Sequence, residues 1–431
     1  MTYADAEALL TALPRFAEAG ADAYRPGLER IRALLDGMGR PEAGLPCVHV
    51  AGTNGKGSTA SMTASIGTAA GRRVGLHTSP HLLRLTERLR LNGAPAPDAW
   101  LADAVARYAP LLARVRPSFF EATVALSLRY FADAGADEAV VEVGLGGRLD
   151  ATNALSDVRV SVVTHIGWDH ADLLGGSLEA IAREKAGIAR PDVPLLHGVP
   201  SEGALAPVAA ALEAEARARG ARPEAIRETV TLAAEAGGAC TLETPARRYT
   251  GLRLGLGGAH QLWNAALAVR AAEMAWPGLP PEAVAVGLAG VTRLAGLRGR
   301  GETLAPDVLA DVAHNADGWH AALGAARDAT PGRLWALVAL MADKDASALA
   351  EALAAHGVTA AFAVALPGGR ALPAAALARY LDARGVPARL APDAASAIAA
   401  FRAEASSGDR LLVTGSHVTV AEAVRALGSQ P

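Results

Sequence analysis

Apolar positions along this chain fall into two kinds of run, and the two kinds alternate. Short runs at 48–51, 74–76, 138–143 and 158–164 are rich in Val, Leu and Ala and bounded by glycine or polar residues, as buried strands are. Helical spacing appears between them at 58–71, 119–131 and 177–187, the last with Ser177 at its N-cap and Gly187 near its end. Residues 1–40 also read as helices, with a solvated face around Arg25, Arg30 and Arg32. Strand, loop, helix and strand in that order begin a parallel α/β sheet. A helix near 202–219 follows, and alternating pieces at 229–232 and 252–254 suit a small peripheral sheet.

The helical pattern breaks at 292–300, and the alternation then starts again. Apolar runs at 308–312, 334–338, 361–365 and 411–414, separated by helical stretches, predict a second parallel α/β domain. A chain of 431 residues exceeds one typical core, so two domains are expected, at 1–294 and 295–431.

The first strand leads into Gly52-Thr-Asn-Gly-Lys-Gly-Ser-Thr59. Three glycines permit a tight loop whose backbone N–H groups converge on an anion, and Lys56 adds mobile positive charge. Ser58 or Thr59 opens the following helix and sets a hydroxyl where Mg²⁺ bridging phosphates must sit. Gly57 stands between the lysine and Ser58, a departure from the usual phosphate loop. Glu142, near the end of its strand, suits a Mg²⁺ ligand or a carboxylate paired within the sheet. Polar residues after the second strand, His81, Arg84, Glu87 and Arg88, face either an anionic substrate or water. Spacing alone makes His170 a structural histidine or a group near a metal, and Lys185 a solvent-facing lysine. Phe119 and Phe120 read as core, with stacking on an aromatic substrate as the alternative. Asp311, His314, Asp343 and His417 fall at or just beyond strand carboxyl ends of the second domain, where ligands bind in such sheets.

Composition narrows the partners. A net charge of −3 implies no basic surface for nucleic acid, and no apolar run reaches membrane-spanning length. Cys47 and Cys240 form neither a disulfide framework nor a zinc pattern and read as buried small hydrophobes. No signal pattern precedes the first helix, so a cytoplasmic protein acting on small molecules is expected.

Taken together, the motifs resemble the bifunctional dihydrofolate synthase/folylpolyglutamate synthase family within the Mur-type amide ligases. Gly-Thr-Asn-Gly-Lys-Gly-Ser at 52–58, Thr-Ser-Pro-His at 78–81, Glu-Val-Gly-Leu-Gly-Gly-Arg-Leu-Asp-Ala-Thr-Asn at 142–153, Asp169-His170 and Glu-Lys-Ala-Gly-Ile at 184–188 carry the resemblance, in family order. It implies a P-loop-containing Mur-ligase-type parallel sheet domain followed by a smaller Rossmann-like α/β domain. Thr53, Asn54, Gly55, Lys56, Gly57, Ser58 and Thr59 would hold ATP, with Asn264, Arg300, Asp311 and His314. Ser58, Glu142, His170 and Lys185 would surround metal, Lys185 as a carbamate. Thr78, Ser79, Pro80, His81, Arg84, Arg148, Asp150 and Thr152 would meet the substrate. The implied small molecules are ATP, two Mg²⁺ ions, a monovalent cation, dihydropteroate or folates, and L-glutamate, bound by a monomer. Val312 and Ala316 stand where the family has Gly and Pro, and Leu297-Arg-Gly-Arg300 replaces Trp-Pro-Gly-Arg.

The chemistry implied is phosphorylation of a carboxylate by ATP and attack on the acyl phosphate by glutamate's amine. Lys56, His170 and Lys185 would support it, within a cleft that closes about residues 292–300 to exclude water. A peptidoglycan-precursor ligase is the neighbouring alternative, disfavoured by Gly57. A P-loop ATPase without ligase activity is the more distant one.

Overall fold

Strand β1 (Cys47–Ala51) is buried along its whole length, as its unbroken apolar run requires, and it lies inside a sheet with helices on both faces. The structure is a computed structural model that describes residues 1–15, 26–366 and 371–428. Arg25 therefore lies outside the described residues. Arg30, expected on a solvated face, instead bonds Glu121 at 3.1 Å, while Arg32 is exposed.

The chain divides into two compact units, one of Met1–Gly255 with Gln261–Leu297, the other of Leu256–His260 with Arg298–Pro431. In the first unit the strands after β1 are β2 (Val74–His77), β3 (Leu89–Leu91), β4 (Ala94–Pro95), β5 (Glu138–Glu142), β6 (Val158–Val163), β7 (Pro194–His197) and β8 (Arg222–Ala225). Their order across the sheet is β4-β3-β2-β5-β1-β6-β7-β8. Pairing from β2 to β8 is parallel, and the β3–β4 hairpin is an antiparallel edge that the apolar pattern did not foretell. β3 and β4 hold only three and two residues, too few for a period to register.

Alternation along β5 decides where its carboxylate goes. Ala139 and Val141 join the core that includes Phe131 and Val124 of the helix Phe119–Asp133, so Val140 and Glu142 point to the opposite face. That face is covered by the helix Lys56–Ala69. Close packing there needs glycine: a side chain on Gly67 would stand 2.7 Å from the ring of the buried Trp276, and one on Gly287 would stand 2.6 Å from the Ile66 backbone.

The pieces at 229–254 form a three-stranded antiparallel sheet, β9 (Thr231–Ala234), β10 (Cys240–Glu243) and β11 (Arg248–Leu252), in the order β11-β10-β9. Tyr249 and Thr244 both donate to Oε1 of Glu273 on the helix His260–Ala275, at 2.9 and 2.7 Å, which anchors that sheet.

The second unit is a separate sheet of β12 (Glu302–Ala305), β13 (Val308–Ala310), β14 (Leu334–Val338), β15 (Val358–Val364), β16 (Ala388–Ala391) and β17 (Arg410–Thr414). Its order is β12-β13-β17-β14-β15-β16, parallel except for β12. Both cysteines are buried and free. Among the described residues no helix is long and apolar enough to cross a membrane.

Candidate active site at the carboxyl ends of the first sheet

β5, β1 and β6 are neighbours and parallel, so the loops leaving their carboxyl ends start side by side. The loop after β1 is fixed by contacts that only glycine allows. Gly52 has φ +146°, and a side chain there would collide with the hydroxyl of Thr164 at the end of β6. Thr164 uses that hydroxyl to bond the Asn54 carbonyl at 2.6 Å, and Thr53 donates its N–H to the His165 carbonyl at 2.6 Å. The Thr53 hydroxyl bonds both the carbonyl and the N–H of Gly167, each at 3.1 Å. Gly55, at φ +87°, opens the helix two residues earlier than its sequence pattern suggested. A side chain on Gly55 would collide with the amide oxygen of Asn264, so Asn264 sits directly over the loop.

Lys56 turns back and donates to the carbonyls of Gly52 at 3.0 Å and Thr53 at 2.9 Å. Lys185 reaches the same Gly52 carbonyl at 2.9 Å from the helix Leu178–Ala186. Spacing alone makes Lys185 solvent-facing and the motif at 184–188 makes it a site residue; the residue is 5% exposed, so it does not face solvent. Burial, with the positive charge of Lys56 acting the same way, brings its ammonium down to about 7 despite Asp169, Asp150 and Glu184 nearby.

Glu142 ends β5 buried and accepts the N–H of Ser79 at 2.9 Å. A side chain on Gly57 would lie 3.5 Å from Oε2 of Glu142, which puts the carboxylate against the first turn of the phosphate-loop helix, beside the buried Ser58. A helix N-terminus favours negative charge there. His170 holds φ +52° at the N-cap of the short helix Ala171–Leu174, a conformation costly for a residue with a side chain and concentrated at functional sites. Its Nε2 stands 3.6 Å from Asp169.

These donors suit a hard cation. A carboxylate and a hydroxyl beside a phosphate cradle, with an imidazole on the next loop, match Mg²⁺, which keeps several waters and takes other oxygens from substrate phosphates. Among the described residues there is no cluster of three His, Cys, Asp or Glu that would grip a metal without phosphate.

The loop 144–153 braces Lys185 from the other side. Arg148 N–H donates to the Glu184 carbonyl at 3.0 Å, Arg148 Nε bonds the Glu184 carboxylate at 3.0 Å, and a side chain on Gly147 would lie 2.9 Å from the Lys185 carbonyl. Asp150 is buried and fully engaged: one oxygen accepts Leu145 N–H at 2.9 Å, the other Thr152 N–H at 2.9 Å and the Thr152 hydroxyl at 2.6 Å. The Thr152 hydroxyl in turn accepts from Nε2 of the buried His49 at 2.8 Å, burial holding that imidazole neutral with a pKa of about 3. Asp150 and Thr152, expected to contact substrate, thus have their polar groups committed to the shape of this loop.

On the loop 78–88, His81 accepts from Arg88 Nε at 2.8 Å and is held down to about 3 by burial, then by Arg88 and Arg15. Arg88, read from spacing as facing an anionic substrate or water but absent from the set the resemblance implies, is buried, with burial lowering it to about 10 against the pull of Glu142 and Glu87. Arg84, which was in that set, pairs with Asp98 and lies over the Tyr3 ring at 4.8 Å. The two arginines are alike in sequence; only burial tells them apart. Phe119 joins the core, whereas Phe120 is half-buried, edge-on to His77 and over Gly144.

In the second unit Asp311 follows β13 and accepts the N–H groups of Ala313 and Gly301, each at 2.9 Å. Burial raises its carboxyl against the pull of Arg300. His314 bonds the Val312 carbonyl at 3.1 Å and its ring lies 6.0 Å from that of His417. Ala316 begins the helix Ala316–Asp328, which Asn315 caps by accepting Gly318 N–H at 2.9 Å.

The family model for the Mur ligase middle domain matches residues 50–272, and that for the Mur ligase glutamate ligase domain matches residues 299–417. The folylpolyglutamate synthase of Lacticaseibacillus casei is 34% identical over 390 residues, 87% of this chain and 88% of its own. Escherichia coli FolC in complex with DHPP and ADP matches with a TM-score of 0.87 at 30% identity, over 100% of this chain and 98% of the other. The bifunctional folylpolyglutamate synthase/dihydrofolate synthase of Yersinia pestis, complexed with AMPPNP and Mn ion, gives 0.87 at 31% identity over 99% and 98%.

Proposed function

We propose the reaction of this chain from its membership of the folylpolyglutamate synthase/dihydrofolate synthase branch of the Mur ligase family, to which it belongs. It is an ATP-dependent ligase that adds L-glutamate to dihydropteroate or to the glutamyl tail of a folate, giving ADP and phosphate. The observation that carries the reading is the convergence of Lys56 and Lys185 on the Gly52 carbonyl, beside the Glu142 carboxylate.

A carboxylate is a poor electrophile. Its oxygen first attacks the γ-phosphorus of ATP and ADP leaves; glutamate's amine then attacks the acyl carbon, phosphate leaves, and the amine loses its proton. No side-chain nucleophile is needed, so positioning and charge neutralisation do the catalysis. Loop amides from Thr53 to Thr59 take the phosphates, and Lys56 exchanges its loop carbonyls for them. Asn264 covers the loop, and nucleotide contact is likewise proposed for Arg300, Asp311 and His314. When bound, Mg²⁺ neutralises phosphate charge, with Ser58, Glu142 and His170 as the residues that would hold it. The manganese complex of the Yersinia pestis relative supports a divalent ion; a second ion and a monovalent cation belong to the same proposal.

Lys185 is the proposed site of carbamylation. Its lowered pKa supplies the neutral amine that adds CO₂ with release of a proton, and the carbamate would turn a repelled cation into an oxygen ligand. Thr78, Ser79, Pro80, His81 and Arg88 are proposed to receive the pterin-bearing acid, with Arg84 at the outer edge. Arg148, Asp150 and Thr152 act by fixing the loop against Lys185. A cytoplasmic monomer is proposed with this activity.

The test is phosphate release dependent on ATP, Mg²⁺ and glutamate, with dihydropteroate and tetrahydrofolate offered separately and products weighed by mass spectrometry. Products one glutamyl unit heavier from both acceptors establish both activities, and from one acceptor, that activity alone. Release with neither would overturn the reading in favour of an ATPase or a peptidoglycan-precursor ligase.

A further inference from the structure

The β3–β4 hairpin follows directly on the loop 78–88, and its turn reaches the end of the first unit. Asn92 at φ +48° and Gly93 at φ +80° both take the left-handed conformation that a two-residue hairpin turn demands. Asn92 pins the turn to β2, accepting Val74 N–H at 2.8 Å. A side chain on Gly93 would stand 2.8 and 2.7 Å from the carbonyls of Arg293 and Leu294, so only glycine lets the turn lie on the helix Val291–Leu294. Gly296, at φ +67°, answers from the other side: a side chain there would collide with the Arg90 guanidinium.

Arg90 donates to the Gly93 carbonyl at 3.0 Å, and its other terminal nitrogen stands 4.0 Å from Glu87. Both side chains are nearly buried, at 11% and 13% exposure, so the two opposite charges attract in a poorly solvated place. Glu87 is the centre of the loop before it, accepting the N–H groups of Leu82, Leu83 and Arg84 at 2.8, 2.9 and 2.9 Å. One carboxylate therefore holds the middle of the loop, and the guanidinium next to it bonds the hairpin turn and lies against Gly296, just ahead of Arg298, where the second unit begins.

We propose that Arg90 is a positioning residue for the ligase reaction, coupling the state of the loop 78–88 through Glu87 to residues 291–297. The proposal rests on the reading of that loop as the site for the pterin-bearing acid. A shift of the loop would be felt at Gly296, because Arg90 lies between the Glu87 carboxylate and a backbone that admits no side chain.

The experiment is hydrogen–deuterium exchange by mass spectrometry on the full chain, with and without dihydropteroate, beside steady-state kinetics. In the unaltered protein dihydropteroate is expected to slow exchange in both 82–88 and 291–297. In Arg90→Ala the first segment still responds and the second does not. The kcat/KM for dihydropteroate is expected to fall about tenfold while the KM for ATP stays within about twofold, the loss of one buried charged contact. Arg90→Lys should recover part of both effects. If Arg90→Ala fails to fold, Arg90→Met, which keeps the buried stem and loses the guanidinium, is read in its place. Unchanged transmission to 291–297 in the variant, or protection confined to 82–88 in the unaltered protein, overturns the proposal. Dihydropteroate that protects neither segment, with phosphate release intact, removes the loop reading and the proposal with it; absent phosphate release as well, the ligase reading itself fails.

Discussion

Lys56 and Lys185 donate to one oxygen, the carbonyl of Gly52, at 3.0 and 2.9 Å. Two ammonium groups so close repel each other, and the repulsion adds to burial in lowering Lys185. Nucleotide phosphates would draw Lys56 away, and a carbamate on Lys185 would remove the second charge.

Carbamate formation consumes the neutral amine, so its pH course is fixed by sign. With Lys185 lowered to about 7, the neutral form grows as pH rises through 7, well below the range of an ordinary lysine. Carbon-13 NMR with labelled bicarbonate is expected to show a carbamate signal that strengthens between about pH 6 and 8. Lys185→Ala should abolish the signal and lower kcat about 100-fold or more. A signal that persists in the variant would place the carbamate elsewhere.

Gly55→Ala is expected to weaken ATP binding and to destabilise the loop by about 1–3 kcal/mol, because the residue holds φ +87° and the added carbon meets Asn264. Asn264→Ala removes the collision and leaves the backbone strain. The double variant should therefore be less impaired than the sum of the two, a coupling that nucleotide titration and thermal unfolding can measure.

Glu142→Gln keeps an oxygen for the Ser79 N–H but loses the charge facing the phosphate-loop helix. Manganese affinity in the presence of nucleotide, read by paramagnetic resonance, is expected to fall about 10- to 100-fold with little loss of stability. Equal affinity in the two proteins would exclude Glu142 as a ligand.

In the second unit Asp409 accepts Arg333 Nε and Nη2 at 2.9 and 2.7 Å, and the N–H groups of Arg333 at 2.7 Å and Ser406 at 2.9 Å. The Arg333 bonds, then the Ser406 N–H, lower its carboxyl from 3.8 to about 2. A depressed folded-state pKa stabilises above the unfolded value and is lost as pH falls through the folded one. Asp409→Asn should thus unfold at a lower temperature at pH 7, and the gap from the unaltered protein should close between about pH 4 and 2. A gap that persists at pH 2 would assign the effect to packing.

The phosphate loop, its strand and its helix were legible because their requirements are local. Glycines are needed where φ is positive, an apolar run where a strand is buried, and Ser177 where a helix starts, its hydroxyl accepting Ala180 N–H at 3.1 Å. The β3–β4 hairpin escaped because it is shorter than any period, although Asn92-Gly93 was a readable turn signal. Arg84 and Arg88 could not be separated, since the difference between them is what surrounds each side chain. The committed hydrogen bonds of Asp150 and Thr152 were hidden for the same reason.

The sequence by itself determined the two α/β halves, the glycine loop between β1 and its helix, and the family, because local backbone preference, apolar period and motif order are properties of neighbours in the chain. Tertiary structure decided the environment of Lys185, a residue that the motif at 184–188 had already marked for the site. On its own helix it is an ordinary lysine, and it becomes a buried, weakened ammonium only because the sheet brings the Gly52 carbonyl and Lys56 to it. Burial and charge proximity depend on residues 129 and 133 positions away, and no pattern along the chain encodes that distance.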